Sequence, residues 1–305
     1  MKISVYTGGL PAKDNEIFAY VKQCGFDAVD FTMEPYFGRK GMFGKLEEHT
    51  EEEIKAHFVM LKECADKAGV EVGQIHSQFG GHPREYDNDI EEVIRREIMC
   101  IKAAGWLGCK YAVIHPIINR KRFYDYYVKE CFEENVEFYT RLIPTLEEND
   151  VYCCLENMWM VDPVYTNICS TIFSHAQEMV DMCEVLGDRF KICVDIGHGP
   201  LTQDDAAEMI RISGSKLAVL HAHDNDGISD LHAFPYSAYQ TPYSNAWKPM
   251  KINWDDILNA LDEVDYRGNL NFEIAAPGPC EVKKFGYEYL AKIGRYMADK
   301  RKVQY

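Results

Sequence analysis

Apolar residues fall along the chain in two alternating textures: short runs of consecutive or every-other apolar positions, and longer stretches in which they recur three and four residues apart. The first is the signature of a strand, the second of an amphipathic helix. Lys2–Tyr6 is such a short run, and Asn15–Cys24 then places Ile17, Phe18 and Val21 on one helical face until Gly25 stops it. Asp27–Met33 reads as the second strand and opens into a loop rich in glycine and aromatics. The next helix starts after Thr50, whose hydroxyl and the Glu53 carboxylate have capping-box spacing, and runs to Gly69.

The alternation persists to the end. Val70–His76 is strand three, and its loop Ser77–Pro83 leads to a helix over Asp89–Leu107. Tyr111–His115 is strand four, halted by Pro116, and one long helix is expected over Tyr126–Glu148. Val151–Glu156, a helix over Thr171–Leu186, Phe190–Asp195 and a helix opening at Thr202–Asp205 follow. Leu217–His221 is strand seven, with the longest loop of the chain before a helix at Asn253–Trp254; Gly268–Ile274 is strand eight, and a last helix spans Glu281–Asp299. Eight strand–helix pairs whose strands are apolar on both faces predict a single α/β domain over residues 1–305, a (β/α)8 TIM barrel rather than a doubly wound sheet. In that architecture the active site lies at the C-terminal ends of the strands.

Charge and cysteine content narrow the classes. A net charge of -16 opposes binding to polyphosphate, because nucleic-acid affinity depends on basic residues displacing counterions. The N-terminus lacks the long apolar core of a signal peptide, and no apolar run is long enough to span a bilayer. The 11 cysteines are odd in number, several lie in apolar stretches, and none forms a Cys-x-x-Cys pair. A soluble, cytoplasmic protein with reduced core thiols is expected.

The polar residues that close the strands carry the chemistry: His76, His115, Glu156, Asp195 with His198, His221, and Glu273, joined by Asp230 and His232 in the loop after strand seven. A lone histidine at a strand end is commonly a hydrogen-bonded core residue, and an Asp-x-His pair in a loop is commonly just solvated. Carboxylates closing Cys-Cys-Leu-Glu156, Ile-Cys-Val-Asp195 and Leu-Asn-Phe-Glu273 are different, since an unpaired buried charge costs several kcal/mol. A divalent cation relieves that cost, with Glu156, Asp195, His221 and Glu273 as the inner set.

Ile75–Pro83, Val113–Pro116, Leu155–Asn157, Val194–His198, His221–Asp224, Asp230–His232 and Phe272–Ile274, in this order, resemble the xylose-isomerase-like barrels, which include sugar epimerases and type IV apurinic endonucleases. The resemblance implies one divalent ion on Glu156, Asp195, His221 and Glu273, manganese first, with magnesium, cobalt or zinc as alternatives. It also implies that Glu156 and Glu273 exchange a proton through an enediolate of a ketose, polyol-derived ketone or keto-sugar, making the protein an isomerase. Such chemistry suits a cation that acidifies the C–H beside a carbonyl. His198, His76, His115, Trp159 and Phe79 are expected to contact substrate. Epimerases of the D-tagatose type carry an arginine six residues past the metal histidine, where this chain has Gly227.

Two other readings remain open. The tri-zinc endonucleases use residues matching all nine strand-end and loop ligands, so His76, His115, His198, Asp230 and His232 are possible additional metal ligands; the acidic charge weighs against nucleic acid. Certain two-component sugar lyases resemble this barrel and need a small partner chain. Loop aromatics Tyr36, Phe37, Phe43, Phe79, Trp159, Tyr236, Tyr239, Tyr243 and Trp247 can stack on a sugar or fill small loop cores, and those beyond His232 fit a homodimer. Trp106 and Trp254 read as structural and Glu34 as solvated. The turn Pro277–Pro279, without Lys or Arg until Lys283, suits an unphosphorylated substrate.

Overall fold

The computed structural model describes residues 1–79, 89–118, 124–162, 164–237 and 252–301. In chain order its elements are β1 (Ile3–Tyr6), α1 (Ile17–Cys24), β2 (Ala28–Thr32), α2 (Glu34–Phe37), α3 (Glu51–Ala68), β3 (Glu71–His76), α4 (Ile90–Trp106) and β4 (Tyr111–Val113). Then come α5 (Val128–Thr140), α6 (Ile143–Glu148), β5 (Tyr152–Glu156), β6 (Met160–Val161), β7 (Ile168–Cys169), α7 (Ala176–Leu186), β8 (Phe190–Asp195), α8 (His198–Leu201) and α9 (Ala206–Ser213). The chain ends with β9 (Leu217–His221), α10 (Trp254–Glu263), β10 (Leu270–Phe272) and α11 (Cys280–Lys300).

Eight parallel strands follow one another in the order β10-β1-β2-β3-β4-β5-β8-β9. The two ends of this sheet meet through a parallel bridge between Ala222 and Phe272, where Ala222 N–H donates to the Asn271 carbonyl at 2.8 Å. The result is a (β/α)8 TIM barrel with helices outside. Alternation along each strand separates two environments. Outward residues such as Ile3, Val5, Ile75, Leu155 and Val194 join the helices in one continuous apolar core, while Val113, Cys154, Cys193 and Val219 form a small cluster of their own. Across from that cluster Asp30 of β2 accepts hydrogen bonds from Gln74 of β3 and Asn271 of β10, all three fully buried.

Local signals explain most boundaries. Thr50 and Glu53 form the expected capping box, and Gly25 and Gly69 close their helices at φ 98° and 63°. Asp89, Asp205 and Asn253 cap α4, α9 and α10 with their side chains. The single helix expected over Tyr126–Glu148 is instead α5 and α6, broken at Arg141–Leu142 because Pro144 lacks an N–H and fits only the first turn of a new helix. The helix expected from Thr171 starts at Ala176: Thr171 N–H bonds the Ser174 hydroxyl at 2.8 Å and Phe173 sits at φ 69°, so these residues form a turn. The hairpin of β6 and β7 has strands too short to announce themselves by periodicity.

The loop aromatics divide. Tyr36, Phe37 and Phe43 pack around Phe58 in the core rather than facing the barrel mouth. Tyr236 packs on Trp254 and Tyr296, Trp106 lies against Phe58, and Tyr239, Tyr243 and Trp247 fall outside the described residues. Glu34 is half-buried rather than freely solvated: its carboxylate accepts the Phe79 N–H at 3.0 Å and braces the loop after β3. All cysteines are free; Cys280 is exposed, Cys64 and Cys169 are half-buried, and the rest are buried. Among the described residues no helix is long and apolar enough to cross a membrane.

Candidate functional site

Because parallel strands start together at one end, their last residues converge at the other. β3 delivers His76, β5 Glu156, β8 Asp195 and β9 His221, with Asp195 and His221 directly in register. His115 and Glu273 follow β4 and β10 within two residues. All nine strand-end and loop residues singled out in the sequence arrive here. Single ligand atoms of Glu156, Asp195, His221 and Glu273 lie within 4.8 Å of one another. His221 Nδ1 stands 2.8 Å from Glu156 Oε1, 3.3 Å from Glu273 Oε2 and 3.8 Å from Asp195 Oδ2.

Two further groups surround this centre. His115 Nε2 and His76 Nε2 lie 2.9 Å and 3.8 Å from Glu156 Oε2. On the other side His198, His223, Asp230 and His232 gather, with Asp230 Oδ1 3.5 Å from His198 Nε2 and 3.3 Å from His232 Nε2. His223 is the residue that strand-end reasoning missed. Two positions after His221 it points the same way, its Nε2 reaches Asp195 at 3.2 Å, and its ring stacks on His232 with centroids 4.0 Å apart. Gly197 makes room for it, since a Cβ there would sit 1.9 Å from the His223 ring.

The rings are held from behind. Nδ1 of His76 faces the Ser77 carbonyl at 2.9 Å, that of His198 the Asn157 carbonyl at 2.7 Å, and that of His232 the Glu273 carbonyl at 2.5 Å. A carbonyl only accepts, so these Nδ1 atoms carry hydrogen and Nε2 faces the site. Asn157 also clamps Asp195 by accepting from its N–H at 2.6 Å and donating to its carbonyl at 2.9 Å.

Burial and crowding set the proton affinities. Burial pushes Glu156 up, but the facing charges of His221 and His115 prevail and hold its carboxyl well below the usual range. Burial raises Glu273, the charges of Glu156 and Asp195 add to it, and its pKa reaches about 8 despite His221 and His232. Asp195 is depressed because His198 and His223 outweigh its burial. His76 falls to about 4 through burial and the neighbouring His115, whereas His232, buried but paired with Asp230, rises to about 9.

The donor set fits a divalent cation. Three buried carboxylates and an imidazole nitrogen converge, and Glu156 Oε2 is buried without a well-aligned hydrogen bond. Above them opens a cavity of about 350 Å³, a size suited to a small sugar, with Phe79, Trp159, Met158 and Tyr6 on its walls. The Tyr6 hydroxyl donates to Thr32 at 3.1 Å and its ring meets His76 edge-on. Lys283, the first base after the Pro277–Pro279 turn, is engaged with the Gly9 carbonyl.

A family model described as xylose isomerase-like TIM barrel matches residues 18–292. The chain belongs to this family. Solved structures of similar fold include D-psicose 3-epimerase from Clostridium cellulolyticum H10 with D-tagatose, at 18% identity and TM-score 0.67 over 97% of this chain and 99% of that one. A D-tagatose 3-epimerase-like protein aligns at 20% identity and TM-score 0.69 with the same coverage. The IolI protein with a bound zinc atom aligns at 14% identity and TM-score 0.66 over 99% of this chain and 100% of that one. At such identities the likeness is one of fold. Uncharacterized proteins of Sinorhizobium fredii and Methanocaldococcus jannaschii are each 24% identical over 57% and 80% of this chain; the matches span 50% and 78% of their own lengths. The xylose isomerase-like match thus runs from α1 into α11, with β1 ahead of it.

Proposed function

We propose that the protein is a divalent-metal-dependent sugar epimerase or isomerase that moves a proton at the carbon beside a carbonyl. The observation that carries this is geometric: Glu156 and Glu273 both line one small cavity and converge there with Asp195 and His221 on a set of donors suited to a cation. Two carboxylates facing one substrate can take a proton from carbon and return one. Glu156, Asp195, His221 and Glu273 would hold the ion, with manganese, magnesium, cobalt and zinc all compatible with an oxygen-rich set carrying one imidazole. Such an ion, when bound, polarises the carbonyl and makes the neighbouring C–H more acidic.

The chain's own groups do the rest. One glutamate takes the proton from carbon while the other returns one. His76, His115 and His198 present Nε2 to the cavity, where they bond substrate oxygens, and Trp159 and Phe79 pack on the apolar face of the ring or chain. Sugar epimerases among the structural neighbours support the substrate class. Gly227 offers no charged side chain, so recognition there differs from that of the D-tagatose-type enzymes. Positioned acid–base groups are worth about 10²–10⁴ in rate. Glu156→Gln and Glu273→Gln are therefore expected to lose at least about a hundredfold in exchange of the substrate proton with D2O while keeping native circular dichroism. Exchange retained by both folded variants on every ketose turned over by the parent would rule the mechanism out.

A further inference from the structure

His221 differs from the other pinned histidines of the site. His76, His198 and His232 each turn Nδ1 to a backbone carbonyl and Nε2 to the cavity, whereas His221 turns Nδ1 to the carboxylates of Glu156 and Glu273 and Nε2 away from them. Behind Nε2, at 3.2 Å, stands Oδ2 of Asp30, at ion-pair distance though off the line of a well-aligned hydrogen bond. That same oxygen accepts from the Gln74 amide at 3.1 Å and the Asn271 amide at 3.0 Å. Four strands thus meet on one carboxylate that no sequence motif marks and that touches neither the cavity nor the acid–base pair. Asp30 and His221 are fully buried, so no solvent competes for the arrangement.

A buried aspartate in mid-strand is costly, and a structural role would need only its two amide partners. Its third neighbour is the sole imidazole among the four convergent donors. We propose that Asp30 is a positioning residue of the metal centre: by taking the Nε2 hydrogen it fixes the ring and leaves Nδ1 as the atom that binds the ion. The inference rests on the metal reading given above. The physical effect is twofold. A carboxylate behind a histidine sets which nitrogen is free and makes that nitrogen a better donor. Gln74 and Asn271 in turn hold the carboxylate, so that it cannot swing toward the cation and become a ligand itself.

Zinc serves as the probe, because it is diamagnetic. Its affinity is measured for the parent and for Asp30→Asn by competition with a chromophoric chelator, and zinc-loaded protein with 15N-labelled histidine is examined by NMR. The parent is expected to bind zinc with His221 Nδ1 as the coordinated nitrogen and a slowly exchanging hydrogen on Nε2. In Asp30→Asn the affinity drops by about 10- to 100-fold and the protected Nε2 hydrogen is lost. An Asp30→Asn protein that stays folded and binds zinc as tightly as the parent overturns the proposal and leaves the metal reading standing. A parent that binds no zinc, manganese, magnesium or cobalt overturns both. Should Asp30→Asn not fold, the parent spectrum alone decides: coordination through Nε2 with hydrogen on Nδ1 refutes the role of Asp30, and the reverse upholds it.

Discussion

Glu273 keeps its proton up to about pH 8 in the metal-free protein because burial and the charges of Glu156 and Asp195 outweigh the nearby histidines. His221, buried but facing Cys193, Glu273 and Glu156, is likewise raised well above the ordinary imidazole range. Both must give up protons to bind a cation, so affinity rises with pH, and the part due to Glu273 levels off above about pH 8. Between about pH 6 and about pH 8 each released proton steepens the dependence by a factor of about ten per unit. Calorimetry in buffers of different ionisation enthalpy counts the protons, and Glu273→Gln is expected to release one fewer. These single residues were legible to different degrees. A carboxylate closing an apolar strand, as in Cys-Cys-Leu-Glu156, stands out against its neighbours. His223 and Asp30 did not, though period-two alternation aligns His223 with His221 and sets Asp30 on the face opposite Val29 and Phe31.

α4 shows how an element outside the site controls its wall. Arg96, buried, reaches the Phe37 and Gly44 carbonyls, and Glu97 receives hydrogen bonds from Ser77 and from Gln78 at 2.7 Å, so one turn of helix anchors the loops after both β2 and β3. Burial raises Glu97 to about 7 from 4.5, with Ser77 and Gln78 restraining the rise and Glu34 adding to it. The folded state therefore holds a proton that the unfolded chain has already lost, and stability falls as pH climbs from 4.5 to about 7, then levels. The slope from this group is at most about 1.4 kcal/mol per pH unit. Glu97→Gln, which can still accept from Gln78 and pair with Ser77, is expected to be less pH-sensitive in urea denaturation between about pH 5 and about pH 8. At this scale periodicity found every barrel strand and erred where a local rule took over: Pro144 in the α5–α6 break, the Thr171–His175 turn, and β6 and β7, too short to show a period.

For the molecule as a whole, closure is the weak point. β9 and β10 meet through the single Ala222–Phe272 bridge, whereas β5, β8 and β9 pair over several residues. His221 and Glu273 stand on either side of that seam, and Asp195 and Glu156 extend the line to β8 and β5. An ion shared by the four would bind folded chain only and pin the seam, adding about 2.7 kcal/mol at a hundredfold excess over Kd. Chelation is expected to lower Tm and to speed hydrogen exchange of the Ala222 amide first, with manganese or zinc restoring both. The -16 net charge tells in the same direction, since at long range it draws cations and repels polyphosphate.

Cys280 begins α11, just past the strand end that supplies Glu273, and it is the exposed thiol among eight buried and two half-buried ones. Chemical labelling under native conditions is therefore directed first to Cys280, since a buried thiol neither meets the reagent nor readily ionises. A maleimide dye or nitroxide would settle first at the lip of the barrel, a few residues from the cavity, with the half-buried Cys64 and Cys169 as the slower sites. The natural protein already offers a spectroscopic handle where ligands enter.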